Sequence, residues 1–510
     1  MKSETRAVAV LGTASLLLRA LAFFRYRFDS DEPQHLHVAW GWTAGLLQYR
    51  DLFDNHAPLF HILTAPLLAI VGERPTVLFY MRLPMIALWA VVLGCTYVVA
   101  RKLYDRRVAL WSVLLLSVVP PFFLKSLEYR TDNLWNAFWM LAVVALLSRR
   151  FFIAGLLLGL AMATSLKTTL LILTLIIAAA IMRMLSRDFI ALLAGAAIPP
   201  VIVAAYFWWR GAWPSVVYCL VTFNRSVAAT WNPLVVWAPR ILWVPAMITI
   251  ILMARRRREG AAIYWGVATA VFFATLLSFW ILISPRDALP FLPFLVIFGV
   301  AAALRRVWGP TLAAVAVIVS LAFVAYYAQG FRNRTREYTT MMNQVSRLTR
   351  PGEPLMDLKG ETVFRARPYY FIFEAIGRRE VARGDIPDNV AEAIVDARCY
   401  VTQADGPFFP PHTQRFLVEN FMDMGRLRAA GRFIPDDGLV TLVIPGEYVV
   451  LNEHGEARGV LDGRTYAGAL RLDAGRHRFD RAVDGERVAI LWAPAFRRGF
   501  SPFHLQDREF

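Results

Sequence analysis

Charge is scarce in this sequence. Only 18% of its 510 residues are Asp, Glu, Lys or Arg, and 57% are hydrophobic, whereas soluble domains carry roughly 25% charged residues. That shortage excludes an ordinary soluble enzyme, and a mean hydropathy of +0.46 points the same way. Cysteine is scarcer still. Cys95, Cys219 and Cys399 are too few and too scattered for a disulfide framework or a zinc site, and Cys95 lies inside an apolar run as a small core residue. There is no glycine-rich phosphate loop to hold a nucleotide, and neither an internal repeat nor a low-complexity segment. The stretch 8–24 mimics a signal peptide, but no small-residue cleavage site follows and Arg19 interrupts the run, so it is expected to remain as a first helix.

What is present are apolar runs long enough to cross a bilayer, which takes about 20 residues as a helix. Candidate spans are 8–24, 77–100, 108–124, 133–148, 151–165, 168–182, 189–209, 236–254, 261–283, 288–304 and 309–328. The loops give an independent check. One alternate set holds Arg101, Lys102, Arg106 and Arg107, then Arg149 and Arg150, Arg183 and Arg187, the run Arg255 to Arg258, and Arg305 with Arg306. The other set is poorer, with Lys125 and Arg130, Lys167, and Arg286. This positive-inside alternation predicts a cytoplasmic N-terminus and places the chain after residue 329 outside. It also accounts for the net charge of +17 without a nucleic-acid partner, since the excess lies in short loops and no recognition motif accompanies it. The lysine-poor, Arg-rich loops suggest a GC-rich bacterial genome.

The expected architecture is therefore a polytopic α-helical membrane protein of about eleven transmembrane helices over 1–330, followed by a soluble outer region. Two outer connections are long. In the first, 25–76, helical spacing of Leu36, Ala39, Trp40, Thr43 and Leu47 predicts a helix over 33–48, and a second begins at Pro58. Both are expected to lie on the membrane rather than span it. The other, 210–235, carries Trp213, Trp231 and Pro233, which suit the headgroup zone. The tail divides by pattern into a small α/β region, 335–435, and a β-rich, sandwich-like region, 436–510. Strand-like stretches there are Leu355–Leu358, Cys399–Gln403, Leu439–Ile444, Tyr448–Leu451, Ala469–Leu472 and Val488–Trp492, with helical ones at 370–380 and 411–424.

Candidate chemistry gathers in the outer loops. The first reads Asp29-Ser30-Asp31-Glu32-Pro33-Gln34-His35, then Tyr49-Arg50-Asp51-Leu52-Phe53-Asp54-Asn55-His56-Ala57-Pro58. Asp31 and Glu32 stand where a helix begins. They either cap it or supply a carboxylate that acts as general base on a hydroxyl. The second cluster is Glu128-Tyr129-Arg130-Thr131-Asp132, either a solvated turn or part of the same site. Lys167 and Arg286 are single outer cations. Each either reaches into the headgroups or helps to clamp a phosphate. Arg19 and Arg82 lie inside apolar runs, where a charge is costly and marks either function or a structural salt bridge to a loop acid.

Taken in order, Asp31-Glu32, Tyr49-Arg50-Asp51, Asn55-His56-Ala57-Pro58, Arg82 and Arg130-Thr131-Asp132 resemble the membrane glycosyltransferases of the C-type fold. The likeness is to the branch of protein O-mannosyltransferases and lipid A aminoarabinose transferases. Gly159-Leu160-Ala161 through Lys167 is similar to that branch's helix-turn with a phosphate-binding lysine, and the resemblance covers about residues 8 to 330. It implies inverting transfer of a hexosyl or pentosyl group from a polyprenyl-phosphate sugar to a cell-envelope acceptor (lipid, polysaccharide or protein), on the outer face of the cytoplasmic membrane. Asp31 would be the general base, with Glu32 its neighbouring acid, and Asp132 would orient the acceptor or Arg130. Lys167, Arg130 and Arg286, with Arg82 and His56, would meet the lipid phosphate. A divalent metal on Asp31 and His35 is conceivable, but the implied chemistry needs no cofactor. The chain departs from the family at Arg286-Asp287-Ala288-Leu289-Pro290, where relatives often have a tyrosine before the proline. The tail segment Val460-Leu461-Asp462-Gly463 through His477 resembles small surface β-domains that either touch glycans or serve as a structural cap. The competing functions are a lipid or sugar transporter or flippase, which usually carries polar residues midway through broken helices, and a non-catalytic membrane sensor.

Overall fold

A computed structural model describes residues 2–225, 260–280, 283–329 and 332–504. Its contacts divide the chain into two units: residues 1–35, 42–70 and 78–335 in the first, and residues 36–41, 71–77 and 336–510 in the second.

The first unit is helical. Its elements include α1 (Lys2–Arg25), α2 (Asp31–Thr43), α3 (Leu59–Val71), α4 (Val77–Leu103), α5 (Arg106–Val118), α6 (Pro120–Lys125), α7 (Thr131–Leu147), α8 (Phe151–Thr164), α9 (Thr168–Ile181) and α10 (Asp188–Trp209), followed by helices Ala261–Phe279, Leu292–Leu304 and Gly309–Ala328. Among the described residues, five helical segments are long and apolar enough to cross a membrane: Glu4–Arg25, Val77–Leu103, Asp188–Trp209, Ala261–Ser278 and Gly309–Ala328. The expected spans 133–148, 151–165, 168–182 and 288–304 fall on shorter apolar helices. The expected span 108–124 is two helices. Val119 precedes Pro120 and leaves the helical region with ψ of 122°, as steric conflict with a following proline ring favours. The expected span 236–254, the run Arg255 to Arg258, Trp231 and Pro233 lie outside the described residues.

Small residues set the tightest helix contact. A Cβ on Gly155 would stand 2.1 Å from the Leu192 carbonyl oxygen, and one on Gly195 would stand 2.4 Å from that of Phe152. Hence α8 and α10 touch backbone to backbone. In lipid, where burial of apolar surface does not drive association, such close packing holds helices together. An aromatic cluster fixes the loop before Leu292–Leu304: Trp265 stacks on Phe294 at 4.7 Å and Phe272 on Phe291 at 4.4 Å. Trp139 Nε1 donates to the Pro290 carbonyl at 2.8 Å. That loop carries Arg286 and Asp287.

The described residues of the second unit form two sheets. The larger has the order β1-β2-β4-β12-β6-β10, with β3 also on β4 and β7 on β6. Here β1 is Leu355–Met356, β2 Val401–Gln403, β3 Phe421–Asp423, β4 Leu427–Phe433, β6 Gly446–Asn452, β7 Gly455–Glu456, β10 Leu470–Leu472 and β12 Ala489–Trp492. Only the β1–β2 pair is parallel. The smaller sheet runs β5-β11-β8-β9, from Leu439–Leu442, Gly475–Arg481, Gly459–Leu461 and Arg464–Thr465. The larger sheet takes strands from both sides of residue 435, the boundary expected between the α/β and β-rich regions. Helices occur at Arg336–Leu348 and Val390–Asp396, which the strand and helix patterns had not singled out, while the stretch expected at 370–380 forms at Ala375–Arg383. Within this unit Arg365 is buried between Glu73, at 2.7 Å, and Thr349.

Candidate active site

The start of α2 settles which acid caps the helix. Asp29 Oδ1 accepts from the Asp31 N–H at 3.3 Å, and Glu32 Oε1 reaches back to the Asp29 N–H at 2.7 Å, a reciprocal arrangement of the capping-box kind. Capping thus falls to Asp29 and Glu32. The side chain of Asp31, within that same first turn, is instead ion-paired with Arg130.

Glu32 is fully enclosed. Arg82 Nε donates to it at 2.7 Å, Arg82 Nη2 takes its other oxygen, and the Tyr129 N–H donates at 2.8 Å. Arg82 spends its remaining donors on the carbonyls of Tyr26 and Arg27 and lies over Phe28 at 4.4 Å. The arginine of the apolar helix α4 therefore has an acid of α2 as its counter-ion. Arg19 has none among the described residues: it donates to the Ser126 hydroxyl at 3.0 Å and the Ser126 carbonyl at 3.1 Å, and stacks on Trp89 at 4.3 Å.

Beside this closed pair lies a shared cluster. Arg130 contacts Asp29 at 2.9 Å, Asp31, and Asp132 at 3.3 Å. Lys167, in the turn between α8 and α9, is held by Asp287 at 2.6 Å and Asp132 at 3.4 Å, with Trp135 at 5.8 Å. Arg286 bridges Asp29 at 2.8 Å and Glu128 at 3.0 Å, and Lys125 pairs with Glu128 at 2.7 Å. The cluster is mostly out of solvent, but unevenly so. Asp31, at 26% side-chain exposure, is the most accessible of its acids, and Lys167, at 24%, the most accessible of its cations. Burial alone would raise the Asp29 carboxyl, but Arg130, Arg286 and Lys125 outweigh it and hold it below the usual range. Burial, with Asp29 and Glu32 nearby, pushes the Glu128 carboxyl up despite its cations. Burial opposes the charge of Lys167 too, yet Asp132 and Asp287 keep its ammonium firmly protonated.

His56 sits in an adjoining network centred on the buried Asp54, which it contacts through Nδ1 at 2.8 Å. The Tyr49 hydroxyl donates to the His56 carbonyl at 2.7 Å and holds the loop. Of the sequence candidates, Asp31, Asp132, Arg130, Lys167 and Arg286 share one cluster, Glu32 and Arg82 form the closed pair at its side, and His56 belongs to the neighbouring network. Sequence reading gave no role to Asp29, Asp287 or Asp54. The adjacency of Asp287 to Arg286, directly after Ser284-Pro285, was the available signal: Asp287 Oδ2 accepts from the Ser284 N–H at 2.6 Å and so pins the loop. Among the described residues no group of three His, Cys, Asp or Glu side chains is arranged to hold a metal ion. In the tail, both ring nitrogens of His477 are engaged by its own sheet, with Asp462 at 2.7 Å and the Asp473 carbonyl at 2.9 Å.

Residues 55–209 match the model of the dolichyl-phosphate-mannose-protein mannosyltransferase family. The matched segment includes His56, Arg82, Arg130, Asp132 and Lys167. No curated protein matches by sequence. Among solved structures, ArnT from Cupriavidus metallidurans in the apo state superposes with a TM-score of 0.57 at 14% identity, over 84% of this chain and 98% of that one. The same protein bound to undecaprenyl phosphate gives 0.53 at 14% identity, over 83% and 97%. At such identity the likeness is one of fold, and with its apolar helices it makes this chain a multi-pass membrane protein with the C-type fold of membrane glycosyltransferases.

Proposed function

We propose that the protein is an inverting glycosyltransferase that takes a sugar from a polyprenyl-phosphate carrier and passes it to a cell-envelope acceptor on the outer face of the cytoplasmic membrane. The observation that carries this reading is the uneven exposure of the charged cluster. In a site that buries most of its charge, the acid and the cation with the largest exposed share are Asp31 and Lys167. Asp31 stands at the positive end of a helix, and Lys167 is presented by a turn between two helices. The family matched over 55–209 is named for a dolichyl-phosphate-mannose donor, and ArnT binds undecaprenyl phosphate. Both fit the class of donor proposed.

In this reading the acceptor hydroxyl gives its proton to Asp31 as its oxygen attacks the anomeric carbon. The bond from that carbon to the phosphate oxygen breaks on the opposite face, and the phosphate leaves with the electron pair. Lys167, Arg130 and Arg286 stabilise the charge that develops there, the kind of preorganised electrostatic term that contributes most in a partly desolvated site. Asp132 and Asp287 hold Lys167, and Asp132 with Asp29 holds Arg130. Because Arg130 touches Asp31 as well, an arriving phosphate competes for the guanidinium and loosens its hold on the base. Glu32 and Arg82 position the start of α2 rather than meet substrate, and His56 borders the acceptor side. With three cations to meet the phosphate, the reaction is expected to run without a divalent metal, so EDTA should leave transfer unchanged. The N-terminus is taken to be cytoplasmic and the second unit to lie outside.

Native mass spectrometry of the detergent-purified protein tests the donor class. A co-purifying polyprenyl phosphate or its glycosylated form, lost in Lys167→Ala, is the expected result. No polyprenyl lipid retained, even after adding lipid-linked sugars, would sink the reading and favour a transporter.

A further inference from the structure

Next to the charged cluster lie two buried histidines, His35 and His61, for which the proposed transfer has no task. His35 is one helical turn beyond Asp31 on α2, so the two share a face. It is fully buried. Its Nδ1 is 3.0 Å from His61 Nε2. His61 Nδ1 faces Asp54 Oδ2 at 3.5 Å, and the other Asp54 oxygen takes His56 Nδ1 at 2.8 Å. Gln48 Nε2 donates to Asp54 Oδ2 at 2.7 Å and to the His56 carbonyl at 3.4 Å, and also stands 3.4 Å from His61 Nδ1.

Asp54 is a carboxylate and can only accept, which assigns the tautomers along the chain. Gln48 Nε2 has only two N–H groups, and Asp54 and the His56 carbonyl take both, so a lone pair on His61 Nδ1 would face the carboxylate and be repelled, and that nitrogen carries the proton. His61 Nε2 is then an acceptor and must receive the N–H of His35 Nδ1. In a neutral imidazole this leaves Nε2 of His35 with a bare lone pair. That atom is buried and has no hydrogen-bond partner among the described residues. Leaving such a group unsatisfied is unfavourable. Burial, followed by the charges of His56, Arg130 and His61, keeps His35 from taking up a proton, so the lone pair persists at neutral pH. Arg130 and Asp31 are close enough to act on its charge, and the His56 ring stands edge-on to it at 4.6 Å.

We propose that His35 Nε2 is a hydroxyl-binding position of the transfer site, which accepts a hydrogen bond from an alcohol group of the substrates. The inference rests on the glycosyl-transfer reading and adds to it a specificity residue that Asp54 orients through His61. A hydroxyl suits the position because it donates to the lone pair, whereas a carboxylate or phosphate oxygen would be repelled by it. The hydroxyl belongs either to the donor sugar or to the acceptor, and the same assay separates the two.

The test uses the full chain in nanodiscs with undecaprenyl-phosphate mannose and undecaprenyl-phosphate arabinose as donors and a cell-envelope extract as acceptor. His35→Phe and His35→Leu both remove Nε2, and whichever keeps the wild-type melting temperature is assayed. Transfer is expected to fall about tenfold or more, the loss of one well-placed neutral hydrogen bond. Retention of undecaprenyl phosphate alone should be unchanged. A rise confined to KM for the lipid-linked sugar places the hydroxyl on the donor, and a fall in kcat/KM for the acceptor alone places it there. Transfer within twofold of wild type overturns the inference while leaving the transferase reading intact. Loss of the fold in both variants also overturns it, since His35 would then be a packing residue. Absence of transfer by the wild-type protein from every donor removes the reading and the inference together.

Discussion

Asp31 and Glu32 are neighbours in the chain and opposites in the structure. Glu32 is closed off: every oxygen is taken by Arg82 or a backbone N–H, and neither partner of the ion pair reaches solvent. Asp31 belongs to an open cluster in which cations are shared among several acids, and part of its carboxylate is exposed. The difference teaches how one acidic dipeptide divides structure from chemistry. A closed pair fixes geometry and has nothing left to offer a ligand. A shared cluster can exchange partners, because each cation keeps a second acid when it releases the first.

Breaking the closed pair should have the largest effect. Arg82→Met leaves Glu32 charged, buried and without its counter-ion, which typically costs about 3–5 kcal/mol. The variant is expected to melt far below the wild type in a thermal scan in detergent, or to fail to accumulate. Adding Glu32→Gln should recover much of the loss, since the unpaired charge is gone. If Arg82→Met instead melted normally and lost only lipid-phosphate retention, Arg82 would be a phosphate ligand and the contrast would collapse.

Asp31→Asn should do the reverse, abolishing turnover and sparing the fold. Removing a general base typically costs 10²–10⁴-fold in rate. The melting temperature should stay close to that of the wild type, because Arg130 keeps Asp29 and Asp132. Undecaprenyl phosphate should still be retained. Sugar transfer at the wild-type rate by this variant would remove Asp31 from the mechanism.

Much of this contrast was legible in the sequence, though not its division of labour. The acids and cations were found because charge is rare enough here for each to stand out against an apolar background. Helix positions followed from run length, and the break at Pro120 was the kind of local event that run length smooths over. Which of Asp29, Asp31 and Glu32 caps α2 could not be read, because any of the three satisfies the spacing rule. The answer depends on Arg82 and Arg130, 50 and 99 residues away respectively from the acids they select. The same distance hid Asp287: only the fold brings it to Lys167. In the second unit, the seven-residue strands β4 and β11 each carry a glycine and two or three arginines, which blur the alternation, and their places are set by neighbouring strands.

Lys167→Ala should have a smaller effect than Asp31→Asn, and of a different kind. It removes one charge-assisted contact, worth about 1.5–3 kcal/mol, while Arg130 and Arg286 remain. We expect KM for the lipid donor to rise by roughly 10- to 100-fold on that scale, with turnover at saturation less affected. Equal loss in kcat and kcat/KM would mean that the lysine acts only on the charge that develops in the transition state. That result would sharpen its role rather than remove it.

The smallest effect concerns Asp29, which belongs to both regions, since its N–H binds Glu32 while its carboxylate binds Arg130 and Arg286. Its folded pKa is depressed, so by linkage it stabilises the folded state at pH above the ordinary aspartate range. That contribution fades as pH falls from the ordinary range through the depressed value. Asp29→Asn should therefore lower the melting temperature modestly at pH 7, and the gap from the wild type should narrow as the pH is taken below about 4. The comparison is a pair of melting curves across pH 7 to 3 in the same detergent. A gap that stayed constant would mean that Asp29 acts only through its neutral cap on the Asp31 N–H, as part of the closed region. A gap that closes places its carboxylate with the shared cations. In that case Asp29 is the joint through which a change in the open cluster reaches the fixed start of α2.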